Sequence, residues 1–195
     1  MPTPSILYLH GFASSPQSWK VTALREAMTA RGIAADRLLA PQLPWPPQDA
    51  IALLKTLITT LKTIDPAPLT LAGSSLGGYY ASWLAEKYDL KAVLINPAVA
   101  AHLTLERYLG IQKNFHTGDK IHVEPANLET LRAFAVAKPT QKRYLLLLET
   151  GDEVLDYQMA KNLYAGATTR VCPGGNHSFT RFPEFIPQIL EFAGL

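Results

Sequence analysis

Short apolar runs alternate with longer amphipathic stretches through most of this chain. The runs at 6–10 (ILYLH), 37–40 (RLLA), 69–72 (LTLA), 91–95 (KAVLI), 144–148 (YLLLL) and 169–172 (TRVC) are too short for helices and predict strands. Between them, apolar residues recur at helical spacing. Trp19, Leu24 and Met28 mark a helix over 17–30, with Ser15 and Pro16 at its start and Gly32 at its end. Ile51, Leu54, Leu57, Ile58 and Leu61 mark a second over 48–62, and Tyr79, Tyr80, Trp83, Leu84 and Tyr88 a third beyond residue 75. Two more are predicted at 157–164 and 183–192. The prolines of 41–47 exclude both a helix and a central strand there.

Near-continuous apolar strands that alternate with amphipathic helices predict an α/β fold, a parallel sheet covered on both faces. Residues 98–139 break the rhythm. Short helical patterns at 103–109 and 128–135 flank polar turns at 117–119, with no strand in βα register. That segment is expected to be a cap inserted over the sheet edge. The chain of 195 residues otherwise reads as one domain.

Composition narrows the classes of function. A net charge of +2 is too balanced for a nucleic-acid partner. The single cysteine, Cys172, excludes an internal disulfide and reads as a small buried residue. The start of the chain shows no basic n-region, and no apolar stretch approaches a membrane span, so a cytoplasmic protein is expected. His116 and His122 lie six apart without a third ligand, and the glycines near residue 75 are not followed by the lysine of a phosphate loop. Neither a metal nor a cofactor is expected.

The chemistry concentrates at Gly73-Ser74-Ser75-Leu76-Gly77. This Gly-x-Ser-x-Gly follows a predicted strand and opens a helix, the setting that pushes the central serine out at a sharp turn. A serine hydroxyl is a weak nucleophile and needs a base, which in turn needs an acid to orient it. In a parallel sheet these partners should follow strands, since all strand ends on one side face one crevice. His177, in the loop after the last strand, is the expected base; His102, His116 and His122 fall in the cap. Asp152 follows the leucine strand directly and is the preferred acid, with Asp156 and Glu153 as competitors. For the oxyanion, the N–H of Leu76 is one expected donor. The other should come from the loop after the first strand, from Phe12 in preference to Ala13. His10 is expected to brace that loop. Phe12, Trp45, Tyr79 and the cap are candidates for the acyl pocket. Lys138, Lys142 and Arg143 read as a solvated charge cluster, with contact to the phosphates of an acyl-CoA as the competing role.

Together, Leu9 to Pro16 (LHGFASSP), Gly73 to Tyr79 (GSSLGGY), Ile95 to Ala98 (INPA), Thr150 to Tyr157 (TGDEVLDY) and Gly174 to Phe179 (GGNHSF) resemble the α/β-hydrolase superfamily, and within it the YqiA-type bacterial esterases. The resemblance covers essentially the whole chain. It implies a six-stranded sheet of order 2-1-3-4-5-6 that lacks the two leading strands of larger members. It also implies cleavage of carboxylic esters or thioesters, with Ser75, Asp152 and His177 in the roles argued above. Peptide cleavage on the same triad, an acyl-CoA thioesterase reaction and a non-catalytic binding protein on the same fold are the competing functions.

Overall fold

The computed structural model describes residues 4–195. The reading of the first residues as free of a leader falls partly on 1–3, outside the described residues. The first half of the chain carries β1 (Ser5–Leu9), α1 (Trp19–Ala30), β2 (Leu38–Leu39), α2 (Pro47–Ile64), β3 (Leu69–Ser74), α3 (Leu76–Tyr88) and β4 (Lys91–Ile95). The second half carries α4 (Ala101–Thr104), β5 (Gly110–Lys113), β6 (Lys120–Val123), α5 (Pro125–Arg132), β7 (Tyr144–Glu149), α6 (Tyr157–Leu163), β8 (Thr168–Cys172) and α7 (Phe182–Ala193).

Six strands form one sheet in the order β2-β1-β3-β4-β7-β8, with every pairing parallel. Counted within the sheet, this is the expected order. Side chains of period two send alternate strand residues to opposite faces. Leu7, Leu9, Leu71, Leu94, Leu146 and Leu148 join the core that includes residues of α2 and α3. Ile6, Tyr8, Val93, Ile95, Leu145 and Leu147 join the core that includes residues of α1 and α7. Burial on both faces is why the strands read as unbroken apolar runs rather than as alternations.

The register sets the strand ends at one level. Leu9 pairs with Gly73, Ser74 with Ile95, and Glu149 with Cys172. The residues that follow these ends therefore share one edge, whatever their separation in the chain.

Two expectations require correction. The helix predicted over 17–30 begins at Trp19 behind Ser18, and Ser15 instead accepts the N–H of Gln17 in the preceding turn, at 3.1 Å. Its buried face is Lys20, Val21, Leu24 and Met28, while Trp19 is 41% exposed. Residues 98–139 also hold more than helical fragments. The first helix there, α4, ends at Thr104, the second, α5, spans Pro125–Arg132, and between them β5 and β6 pair as an antiparallel hairpin around the polar turn. Its strands have four residues each, with exposed side chains alternating with partly covered ones, so no apolar run announces them.

Candidate active site

The passage from β3 to α3 turns on Ser75, whose backbone sits at φ 55°, ψ −121°. A non-glycine residue is strained there, at a cost on the order of 1–3 kcal/mol, and the surroundings hold it. Its N–H donates to the carbonyl of Ile95 at 3.1 Å, and its own carbonyl accepts from Tyr79 and Ala98 at 3.2 and 3.1 Å. The flanking glycines are needed for space. A Cβ on Gly73 would overlap the carbonyl of Gly77, and one on Gly77 would overlap that of Leu9. Helix α3 thus starts directly against the end of β1.

From the far side of the chain, His177 brings Nε2 to 3.0 Å from Ser75 Oγ. Its Nδ1 lies 2.8 Å from Asp152 Oδ2 and 3.0 Å from Oδ1. Asp152 Oδ1 also accepts the N–H groups of Val154 and Leu155, at 2.9 and 2.8 Å, which fixes the carboxylate. Asp156 lies apart and caps α6 by accepting the N–H of Gln158. Glu153 takes the main-chain N–H of His177 at 2.9 Å, a bond that holds its carboxyl below the usual range.

Two buried residues that sequence reasoning left without a role position the His177 loop. Asn96 follows β4 and donates through Nδ2 to the carbonyls of Asn176 and His177, at 3.0 and 3.4 Å. Its Oδ1 accepts the N–H of Glu149 at 2.9 Å. Glu149, fully buried, accepts the N–H of Asn176 at 2.8 Å. The only sequence signal was a polar residue just after, or closing, a buried strand.

Phe12 and Leu76 both border the cleft beside Ser75. Among the described residues neither main-chain N–H has an acceptor. His10 braces the loop that carries Phe12. Its Nδ1 bonds the carbonyl of Gly11 at 2.9 Å, and its Nε2 accepts the N–H of Leu43 at 3.0 Å. This pairing requires a neutral ring, and burial pushes the His10 pKa down, against the bond to Gly11.

The cleft has a volume of about 280 Å³. Ala101, Leu105, Tyr108, Phe115 and Val154 give it a mainly apolar wall, to which the cap segment contributes most. The hairpin is clipped to the Phe12 loop: Phe115 N–H donates to the carbonyl of Ala13, and Asn114 Nδ2 to that of Ser14, each at 3.0 Å. The structure does not bring Trp45 or Tyr79 to this wall. Trp45 packs edge-on against Phe12 and donates its indole N–H to the carbonyl of His122. Tyr79 is buried in the core with its hydroxyl on the carbonyl of Leu131. Arg143 pairs with Glu86 and Asp89. It lies beside the start of β7, the sheet end opposite Ser75.

The family described as "Uncharacterised protein family (UPF0227)" matches residues 5–194. The chain belongs to this family. A UPF0227 protein of Klebsiella pneumoniae is 29% identical over 161 residues, 81% of each chain. Among solved structures, Est1E from Butyrivibrio proteoclasticus superposes with a TM-score of 0.75 at 16% identity, over 100% of this chain and 90% of that one. Est1E with ferulic acid bound gives 0.72 at 14% identity, over 97% and 87%. The mouse alpha/beta hydrolase domain-containing protein 10 gives 0.74 at 16% identity, over 98% and 90%. At such identities the likeness establishes the fold, and this UPF0227 chain has the α/β-hydrolase fold. No helix among the described residues is long and apolar enough to cross a membrane.

Proposed function

We propose that the protein is a serine hydrolase that cleaves carboxylic esters or thioesters through an acyl-enzyme on Ser75. One observation carries the reading: Ser75 Oγ, on a strained turn, lies 3.0 Å from His177 Nε2, whose Nδ1 is held by Asp152. His177 takes the serine proton as Oγ attacks the acyl carbonyl. Asp152 keeps the Nδ1 proton in place and stabilises the imidazolium. The oxyanion accepts from the N–H groups of Phe12 and Leu76, which have no acceptor of their own among the described residues. Collapse breaks the ester bond, and the alcohol or thiol leaves with the proton from Nε2. Water then gives its proton to His177 and attacks the acyl group; the acid departs and the proton returns to Ser75.

The apolar cleft beside Ser75 has a volume of about 280 Å³. An acyl group of modest length fits it. That Est1E, of the same fold, binds ferulic acid supports a carboxylic acid product. A fluorophosphonate probe followed by mass spectrometry tests the reading. The peptide holding Ser75 is expected to be labelled, with the label absent in Ser75→Ala and strongly reduced in His177→Ala. A folded protein that takes no label would overturn the proposal.

A further inference from the structure

The start of α1 inverts the ordinary placing of its side chains. Trp19 is 41% exposed, whereas Lys20, next to it, is 8% exposed. Lys20 stands four and eight residues before Leu24 and Met28 and so shares their inward face. Among the described residues it has neither an ion pair nor a hydrogen bond for its ammonium; its recorded contact is the Trp19 ring, 5.1 Å away. Burial brings its pKa down to about 8, with the carboxylate of Glu149 acting in the opposite direction, so at neutral pH the side chain is still mainly an ammonium.

Lys20 lines a pocket of about 150 Å³ that is separate from the apolar cleft. The two share Phe12, Ser75 and His177. Where the cleft is walled by the cap, this pocket is walled by β1, the start of α1 and the His177 loop. Tyr8, Ser14, Ser18, Ser74 and Ser178 also line it. Ser18 is the N-cap of the 12-residue α1, but its hydroxyl makes no capping bond. Ser18, at the positive end of that helix, thus lines the pocket together with Lys20.

We propose that this pocket binds an anionic group of the substrate, a carboxylate or phosphate on a short tether, so that the ester cleaved at Ser75 is apolar on one side and anionic on the other. The proposal rests on the hydrolase reading of Ser75. A space of about 150 Å³ suits a small group, such as a carboxylate on a short tether or a phosphate.

Three esters test it, followed by proton release: butyl butanoate, the monobutyl ester of succinic acid, and the butanoyl ester of hydroxyacetic acid. The second carries its carboxylate on the acyl side and the third on the alcohol side. At least one anionic ester is expected to exceed the neutral one in kcat/KM by tenfold or more. Lys20→Met is expected to bring that ratio close to one, with Lys20→Arg in between. A wild-type preference for the neutral ester, or a ratio unchanged by Lys20→Met, would overturn the proposal and make Lys20 a counter-charge for Glu149. Calorimetric titration of Ser75→Ala with succinate and with inorganic phosphate reads the pocket without turnover. It also covers the case in which Lys20→Met fails to fold. Binding of either anion supports the site; binding of neither overturns it. Because the fluorophosphonate label reads Ser75 alone, a labelled serine with no anion binding refutes only the pocket. Anion binding with no label refutes only the hydrolase.

Discussion

Asp152 places Oδ2 2.8 Å from Nδ1 of His177. The competing carboxylate, Asp156, stands one helical turn away at the start of α6 and accepts the N–H of Gln158 instead. The pair therefore separates cleanly by mutation. Asp152→Asn is expected to lower kcat by about four orders of magnitude, since the ring loses its oriented tautomer. Asp156→Ala is expected to leave turnover in place and to cost about 1 kcal/mol of stability through the lost cap. Steady-state kinetics and denaturant midpoints on both variants check this; a turnover defect in Asp156→Ala alone would reverse the assignment.

Gly77 is the tightest point of the serine turn. A methyl group there would meet the carbonyls of Leu9 and His10, which are backbone atoms and cannot swing aside. Gly77→Ala is expected to destabilise the fold by about 1–3 kcal/mol and to weaken labelling of Ser75, because α3 must move off β1. Thermal unfolding and probe labelling measured together would show it. A variant as stable and reactive as wild type would contradict the close approach.

His10 makes the stability sensitive to acid. Its buried ring is held neutral, with a folded pKa below the ordinary 6.5. Below that pH the unfolded chain takes up a proton that the folded chain does not, so stability falls as the pH drops. In His10→Asn this contribution is absent. The variant is expected to start less stable, having lost the bond from Leu43, but to lose less between about pH 6.5 and pH 5. Urea midpoints across that range give the two slopes, and equal slopes would sink the prediction.

Leu105 is buried and lines the apolar cleft. Leu105→Trp is expected to fill part of the space and shift the preference toward shorter acyl groups. A loss on the order of ten- to a hundredfold in kcat/KM for the longest acyl esters follows from the usual worth of a methylene-sized misfit. A series of esters differing only in acyl length measures it. An unchanged length profile would place the acyl group elsewhere.

How legible each part was depends on how local its cause is. The leucines of β7 and the glycines around Ser75 act through backbone and burial within a few residues, so their pattern can be read directly. Asp152 and His177 could be placed because each follows a strand, and strand ends of a parallel sheet coincide. Asn96 and Glu149 could not be given a role that way. Their bonds depend on three strand ends meeting, which no spacing along the chain records. Tyr79 looked like a pocket aromatic, but its hydroxyl finds the carbonyl of Leu131 inside the core. Lys20 shares the helical spacing of Leu24 and Met28, but its charge sets it apart from an apolar pattern, whereas Trp19 fits that pattern by hydropathy and is exposed. The strands of the hairpin were hidden by their polar residues, Gln112, Lys113, Lys120 and His122.

The hydrogen bonds from Phe115 to Ala13 and from Asn114 to Ser14 join the roof of the cleft to the loop that offers the Phe12 N–H. In the proposed reaction, an ill-fitting acyl group that lifts the hairpin would drag the Phe12 N–H out of line, so poor substrates would be held but turned over slowly, and selection among them is expected in kcat rather than in KM. Grafting a foreign roof onto this scaffold to change its preference would have to preserve those two clips, or the new enzyme would choose well and react poorly.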